Sequence, residues 1–144
     1  MSVDVTVETT IGRPPAEVAA FAMDPANDRA WIGALDSVRT LTDGPVGVGT
    51  QVERVASFLG RRIEYVNEIT AYEAGRRLEM HSVKAPFPMT VTYEFEPAGE
   101  GTLARIHTGG EASGFYALAT PLLEQMVKRG VSRDLSKLKA VLEG

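Results

Sequence analysis

Six side chains in this sequence have the chemistry to hold and orient a small molecule: Arg54, Tyr65, Asn67, Met80, Tyr93 and Phe95. Tyr65 and Asn67 alternate with Ile63 and Ile69, Met80 lies between Leu78 and Ser82, and Tyr93 and Phe95 follow Val91. Period-two spacing places each set on one face of a strand. A phenol removed from water needs a hydrogen-bond partner, and a ligand oxygen can be that partner. Asn67 is polar in an otherwise apolar row; it either orients a ligand carbonyl or hydroxyl, or bonds a sheet bulge or water. Arg54 shares parity with Val52, Ala56 and Phe58. Turned inward it would grip an acidic ligand group, and otherwise it pairs with Glu68 or another neighbour. Trp31 belongs at the mouth of the sheet, by a packing role or a ligand contact. The competing reading for the whole apolar row is a filled core under a helix.

Other chemistries lack their residues. The chain has no cysteine, which removes disulfides, thiolate metal sites and cysteine nucleophiles. Its two histidines, His81 and His107, have neither metal-ligand spacing nor a partner motif, and parity turns both toward solvent. No nucleophile elbow, phosphate loop or dinucleotide fingerprint occurs. Neither a metal nor an organic cofactor is expected.

Such a row needs strands to carry it and something to close over it. Val3, Val5 and Val7 alternate with Asp4, Thr6 and Glu8, which predicts a strand ending near Ile11. Pro14 and Pro15 start a short helix carrying Val18, Phe21 and Ala22, and a second short helix spans about Ala26 to Ile32. From Val38 onward the pattern is strands and turns, punctuated at Asp43-Gly44-Pro45, Gly60, Glu73-Ala74-Gly75, Pro86 to Pro88 and Gly99 to Gly101. A final helix is expected from Phe115 to Glu143, with Leu118, Leu122, Met126, Leu135, Leu138 and Leu142 as its stripe. Consecutive strands with tight turns make antiparallel hairpins. The expected architecture is therefore α+β: six or seven curved antiparallel strands around a long C-terminal helix. Tyr65, Asn67, Met80, Tyr93 and Phe95 would line one cavity, closed by Leu118, Leu122 and Met126.

The 144 residues, 44% hydrophobic and 24% charged, fit one domain over 1–144. A net charge of −4 argues against non-specific nucleic-acid binding, and no apolar run is long enough to span a membrane. The N-terminus lacks a signal-peptide pattern, so a cytoplasmic location is expected. An unpaired sheet edge would offer a homodimer contact.

Several segments in this order carry a family resemblance: Ile11-Gly12-Arg13-Pro14-Pro15-Ala16-Glu17-Val18, Asp24-Pro25-Ala26-Asn27 followed by Trp31, Pro45-Val46-Gly47-Val48-Gly49-Thr50, Glu73-Ala74-Gly75-Arg76-Arg77-Leu78, Gly101-Thr102, and Gly114 before the long helix. Together they resemble the START-related polyketide cyclase/dehydrase superfamily, the helix-grip group, along the whole chain. The resemblance implies the helix-grip fold and a small hydrophobic partner: a lipid, an aromatic or a polyketide-like molecule. It is equally compatible with a cyclase or dehydratase acting on a carbonyl substrate, and leaves open whether the chain is an enzyme.

Overall fold

The computed structural model describes residues 2–58, 60–111 and 120–144, with Phe58 described by its backbone alone. Strand β1 (Ser2–Ile11) leads into helix α1 (Pro15–Ala22), a single 3-10 turn (Pro25–Asn27) and the short helix α2 (Asp28–Trp31). Six strands follow: β2 (Leu35–Thr40), β3 (Gln51–Phe58), β4 (Arg61–Glu73), β5 (Arg77–Lys84), β6 (Met89–Ala98) and β7 (Gly101–Glu111). Helix α3 (Thr120–Glu143) ends the chain. The strands form one antiparallel sheet in the order β1-β7-β6-β5-β4-β3-β2. This is the expected helix-grip arrangement, with seven strands. No helix among the described residues is long and apolar enough to cross a membrane.

Local chemistry explains the differences from the sequence reading. The second helix is split because Pro25 lacks an N–H and follows Asp24, whose carboxylate accepts from the Ala26 N–H at 3.0 Å. Strand β2 begins at Leu35 rather than Val38, since Leu35 is buried. Expected helical residues 115–119 lie outside the described residues, and Pro121 falls in the first turn of α3, where a missing N–H costs nothing. Gly75, at φ +78°, makes the β4–β5 turn, and the Arg76 N–H donates to the Glu73 carbonyl at 3.0 Å.

The register fixes which residues share the concave face. Arg54 is opposite Tyr65 and Val52 opposite Asn67. Asn67 is opposite Ser82 and Ile69 opposite Met80. Leu78 is opposite Tyr93, Tyr93 opposite Ile106, and Ile106 opposite Val7. Paired residues project to the same side, so Tyr65 and Tyr93 lie on one face, as the parity predicts. An irregularity between Ile69 and Ala71 leaves Thr70 without a partner and turns Tyr72 to the side of Leu78.

Helix α3 covers this face. Leu123, Leu135 and Leu138 are buried, while Leu122 is 55% exposed. The expectation that Leu122 closes the inner face is therefore corrected. The 3.6-residue period running back from Leu138 passes through Leu135, Val131, Val127 and Leu123, and leaves Leu122 on the other side of the helix, about 160° from Leu138. Met126 is half-buried, and Leu118 lies outside the described residues. The end of α3 is clamped to the first strand: Lys139 donates to the Thr10 carbonyl at 2.8 Å, Arg13 to the Leu142 carbonyl at 2.9 Å, and the Gly12 N–H to Glu143 at 2.7 Å.

Candidate functional site

The inner face is apolar along Ile69, Leu78, Phe95, Ala104 and Ile106, all buried. Arg54 is set into it at 4% exposure. Its Nε donates to Oδ2 of Asp28 at 2.8 Å, Nη2 forms an ion pair with the same oxygen at 2.8 Å, and Nη1 faces the Met80 sulfur at 3.7 Å. The alternatives weighed for Arg54 thus combine: it points inward, and its partner is Asp28. Glu68 accepts instead from the Gln51 amide at 2.9 Å. Asp28 reaches Arg54 because the Asp24-Pro25 turn and α2 fold back over the sheet, a turn also held by Asn27 donating to the Phe21 carbonyl at 3.1 Å.

Around this pair stand the aromatic residues. Trp31 meets Tyr93 edge-on, with centroids 5.7 Å apart and planes at 63°, and Tyr93 meets Phe95 at 6.5 Å and 74°. Edge-to-face rings of this kind hold one another in fixed orientation. Trp31 is fully buried, and its Nε1–H has no hydrogen-bond partner among the described residues. A buried unmatched donor costs about 1–3 kcal/mol. Asn67 is buried opposite Val52 and Ser82.

Burial and charge set the protonation states. Burial pushes the Tyr93 hydroxyl well up, and Asp28 adds to this while Arg54 opposes it. Burial also raises Tyr65, again against Arg54. Both phenols are therefore neutral O–H donors at ordinary pH. For Arg54, burial works against the charge while the Asp28 carboxylate opposes it by its charge and its hydrogen bond; the net direction is upward, so the guanidinium stays charged. Burial pushes the Asp28 carboxyl up against the pull of Arg54. A second carboxyl, Asp134 on α3, accepts from the Gly33 N–H at 3.0 Å, and burial raises it too. The field of Asp134 reaches both Tyr65 and Tyr93.

Asp28 and Asp134 are the two residues that the sequence reading missed. A four-residue helix is too short to show which way Asp28 points. Asp134 was more accessible to inference: it lies three residues after Val131, beside Leu135 and four before Leu138, on the buried stripe.

The histidines face outward. His107 is 2.6 Å from Asp4, and His81 is 2.8 Å from Thr90 and 3.2 Å from Glu79. Two open hollows of about 510 Å³ lie elsewhere, one at the α3 clamp around Arg13 and Lys139, the other around His81, Met89 and His107. Neither includes Arg54, Tyr65 or Tyr93. Among the described residues no three of His, Asp and Glu gather to hold a metal.

Comparison with known proteins adds the family. The sequence model of the family described as polyketide cyclase / dehydrase and lipid transport matches residues 2–143. The chain is similar to the crystal structure of TTHA0849 from Thermus thermophilus (TM-score 0.84, 23% identity, 95% of this chain and 94% of that one). It is similar to the Zhui aromatase/cyclase from a Streptomyces species (TM-score 0.82, 17% identity, 99% and 94%). A START superfamily protein from Mycobacterium smegmatis also matches (TM-score 0.77, 13% identity, 99% and 97%). At these identities the likeness is one of fold. None of the curated proteins matches the chain.

Proposed function

The chain belongs to the polyketide cyclase/dehydrase and lipid transport family, and from that premise we propose that it binds a small hydrophobic molecule, a lipid, an aromatic or a polyketide-like compound, between the concave sheet and α3. One observation carries the reading: an apolar face holds a cluster of neutral or paired donors, the buried Arg54, Tyr93 and Trp31 and the half-buried Tyr65, in which the Trp31 N–H is unmatched among the described residues. An apolar lining with a few convergent polar groups is the usual composition of a small-molecule site. The apolar part of the ligand would meet Met80, Phe95 and the aliphatic row, while an acceptor oxygen would meet the donors. Asn67 would stand beside that oxygen, and the half-buried Met126 would border the site from α3.

A second reading, a cyclase or dehydratase acting on a carbonyl substrate, has one observation in its favour. Asp28 and Asp134 bring two carboxyls raised by burial into the field of two phenols that can donate to a developing enolate. Such an enzyme would still have to bind the hydrophobic substrate first.

The test uses the single tryptophan, Trp31, which lies inside the proposed site. Native mass spectrometry of the purified protein is expected to show a co-purified small molecule. A thermal-shift screen with lipids, flavonoids and aromatic polyketides is expected to give stabilising ligands that also change Trp31 emission. If no hydrophobic compound raises the Tm or alters that emission, the binding reading fails. A ligand that is consumed, with a product seen by chromatography, moves the protein to the second reading.

A further inference from the structure

Helix α3 carries an exposed row of like charges to which the described residues supply no ion pair. Arg129, Arg133 and Lys137 are all exposed and stand at i, i+4 and i+8. Like charges at this spacing face each other and work against the helix. None of the three forms an ion pair with a described residue. The ion pair on α3 is Lys139–Glu143, at 2.7 Å, and the two neighbouring acids are turned away: Asp134, whose carboxyl feels the Arg133 charge, is fixed to the Gly33 N–H, and Glu143 to the Gly12 N–H. Cations are favoured in the last turn of a helix, which accounts for Lys139 but not for Arg129 and Arg133 in the middle. The exposed Leu122 lies within about 40° of Arg129 and Arg133 around the helix axis and continues the row toward the N-terminal end.

The charge distribution of the whole chain sharpens this. Helix α3 has five cations against three acids, while the remaining sequence has ten cations against sixteen acids. One positive helix face thus stands on an acidic protein. An anionic bilayer would meet the molecule over a plane and be repelled by that surround, whereas a single helix can lie along the row alone. The described elements of a second copy offer no free matching row: α1 and α2 carry one acid each in their turns, Glu17 and Asp28, and the convex acids Glu8, Glu94 and Glu96 already share Arg105.

We propose that the exposed face of α3, along Leu122, Arg129, Arg133 and Lys137, docks an acidic helical segment of a partner protein. Carboxylates spaced at i, i+4 and i+8 on the partner would meet the three cations, and an apolar residue one or two turns on would cover Leu122. This surface lies on the opposite side of α3 from the Arg54 cluster, so docking would leave the interior site accessible.

The test is a backbone-amide NMR titration of the full chain with a synthetic helical peptide carrying glutamates at i, i+4 and i+8. Shifts are expected to be confined to α3, with affinity weakening as salt rises. The Arg129→Glu/Arg133→Glu double variant is expected to bind this peptide about ten-fold more weakly and to gain affinity for the lysine counterpart of the peptide. Perturbations spread over the sheet, or unchanged binding by the double variant, would overturn the proposal. So would co-flotation with phosphatidylserine vesicles that depends on these cations, or their mediation of a dimer seen by sedimentation. Arg129→Gln alone is expected to leave the Tm at or above that of the wild type, since it relieves repulsion. A fall in Tm would show that the row is already satisfied within the chain and would also overturn the proposal.

Discussion

Two arginine–carboxylate pairs in this protein have nearly the same length and opposite meanings. Arg105 on the convex face meets Glu8 at 2.7 Å, with Glu94 and Glu96 near its other nitrogen at 3.7 and 3.5 Å. Arg54 on the concave face meets Asp28 at 2.8 Å. The side chains of the outer pair are 27% and 47% exposed, those of the inner pair 5% and 2%. Outside, water already solvates each charge, three acids share the cation, and the pair adds about 0–1 kcal/mol. Inside, two ions have lost their hydration, and their attraction offsets that loss only while both are present. A buried pair is a poor device for stability, since apolar residues of similar size often do as well. Its place in an apolar face, among two phenols and an indole, is the setting from which the ligand site is proposed.

Breaking each pair separates the two cases most sharply. Asp28→Ala leaves the Arg54 charge buried without its acid, and is expected to cost about 3–5 kcal/mol in urea unfolding. Arg105→Ala is expected to cost no more than about 1 kcal/mol. Replacing both inner partners with apolar residues, Asp28→Leu with Arg54→Met, should recover much of the loss and leave a folded protein that binds an oxygen-bearing hydrophobic ligand more weakly. If Asp28→Ala is as mild as Arg105→Ala, the inner pair is open to water and the contrast collapses.

A smaller effect is expected at the phenol. Tyr93→Phe removes one oxygen from the buried ring that contacts Trp31 and Phe95. It should weaken a hydrophobic ligand found by the thermal-shift screen by about 0.5–1.5 kcal/mol, the net worth of a hydrogen bond. The ring contacts survive, so the Tm without ligand should change little. Isothermal titration of wild type, Tyr93→Phe and Arg105→Ala makes the measurement, with the outer variant as control. Equal affinities for all three would mean that the hydroxyl meets no ligand oxygen.

The difference between the two faces also explains what could be read from the sequence. Strand parity is a two-state property, so Tyr65, Tyr93, Met80 and Phe95 on one side and His81 on the other follow from alternation between turns, whereas the facing of Arg54 and His107 needs the register. The order from β2 to β7 follows from consecutive hairpins, whereas the pairing of β1 with β7 does not. What alternation cannot supply is contact across elements. Asp28 is 26 residues before Arg54, on a helix of four residues whose facing depends on the Asp24-Pro25 turn. The misplacement of Leu122 has a related cause. Aliphatic residues crowd the start of α3, with Leu122, Leu123, Met126 and Val127 adjacent in pairs, and only the fixed phase of Leu135 and Leu138 shows which of each pair faces the sheet.

The smallest expected effect separates the carboxyls by pH. Asp134 is raised by burial, with the Gly33 N–H and the Arg133 charge pulling the other way. A carboxyl that holds its proton more tightly when folded stabilises the fold fully below its unfolded value, near the ordinary 3.8, and that contribution is lost as pH rises through the folded value. Asp28, raised by burial against Arg54, has the same sign. Glu143 has the opposite sign: the bond from Lys139 and then that from Gly12 lower it, so its contribution is present at neutral pH and lost as pH falls through the folded value. Asp134→Asn keeps an oxygen to accept from Gly33 and cannot ionise. Its stability relative to wild type should therefore improve as pH rises from acid to neutral, by less than about 1 kcal/mol in all. Glu143→Gln should show the reverse trend, with its deficit largest at neutral pH. Urea midpoints for the three proteins across that range make the comparison. An Asp134→Asn difference that stays flat with pH would mean that the carboxyl is as solvated as those on the convex face, and would remove it from the group of charges held under α3.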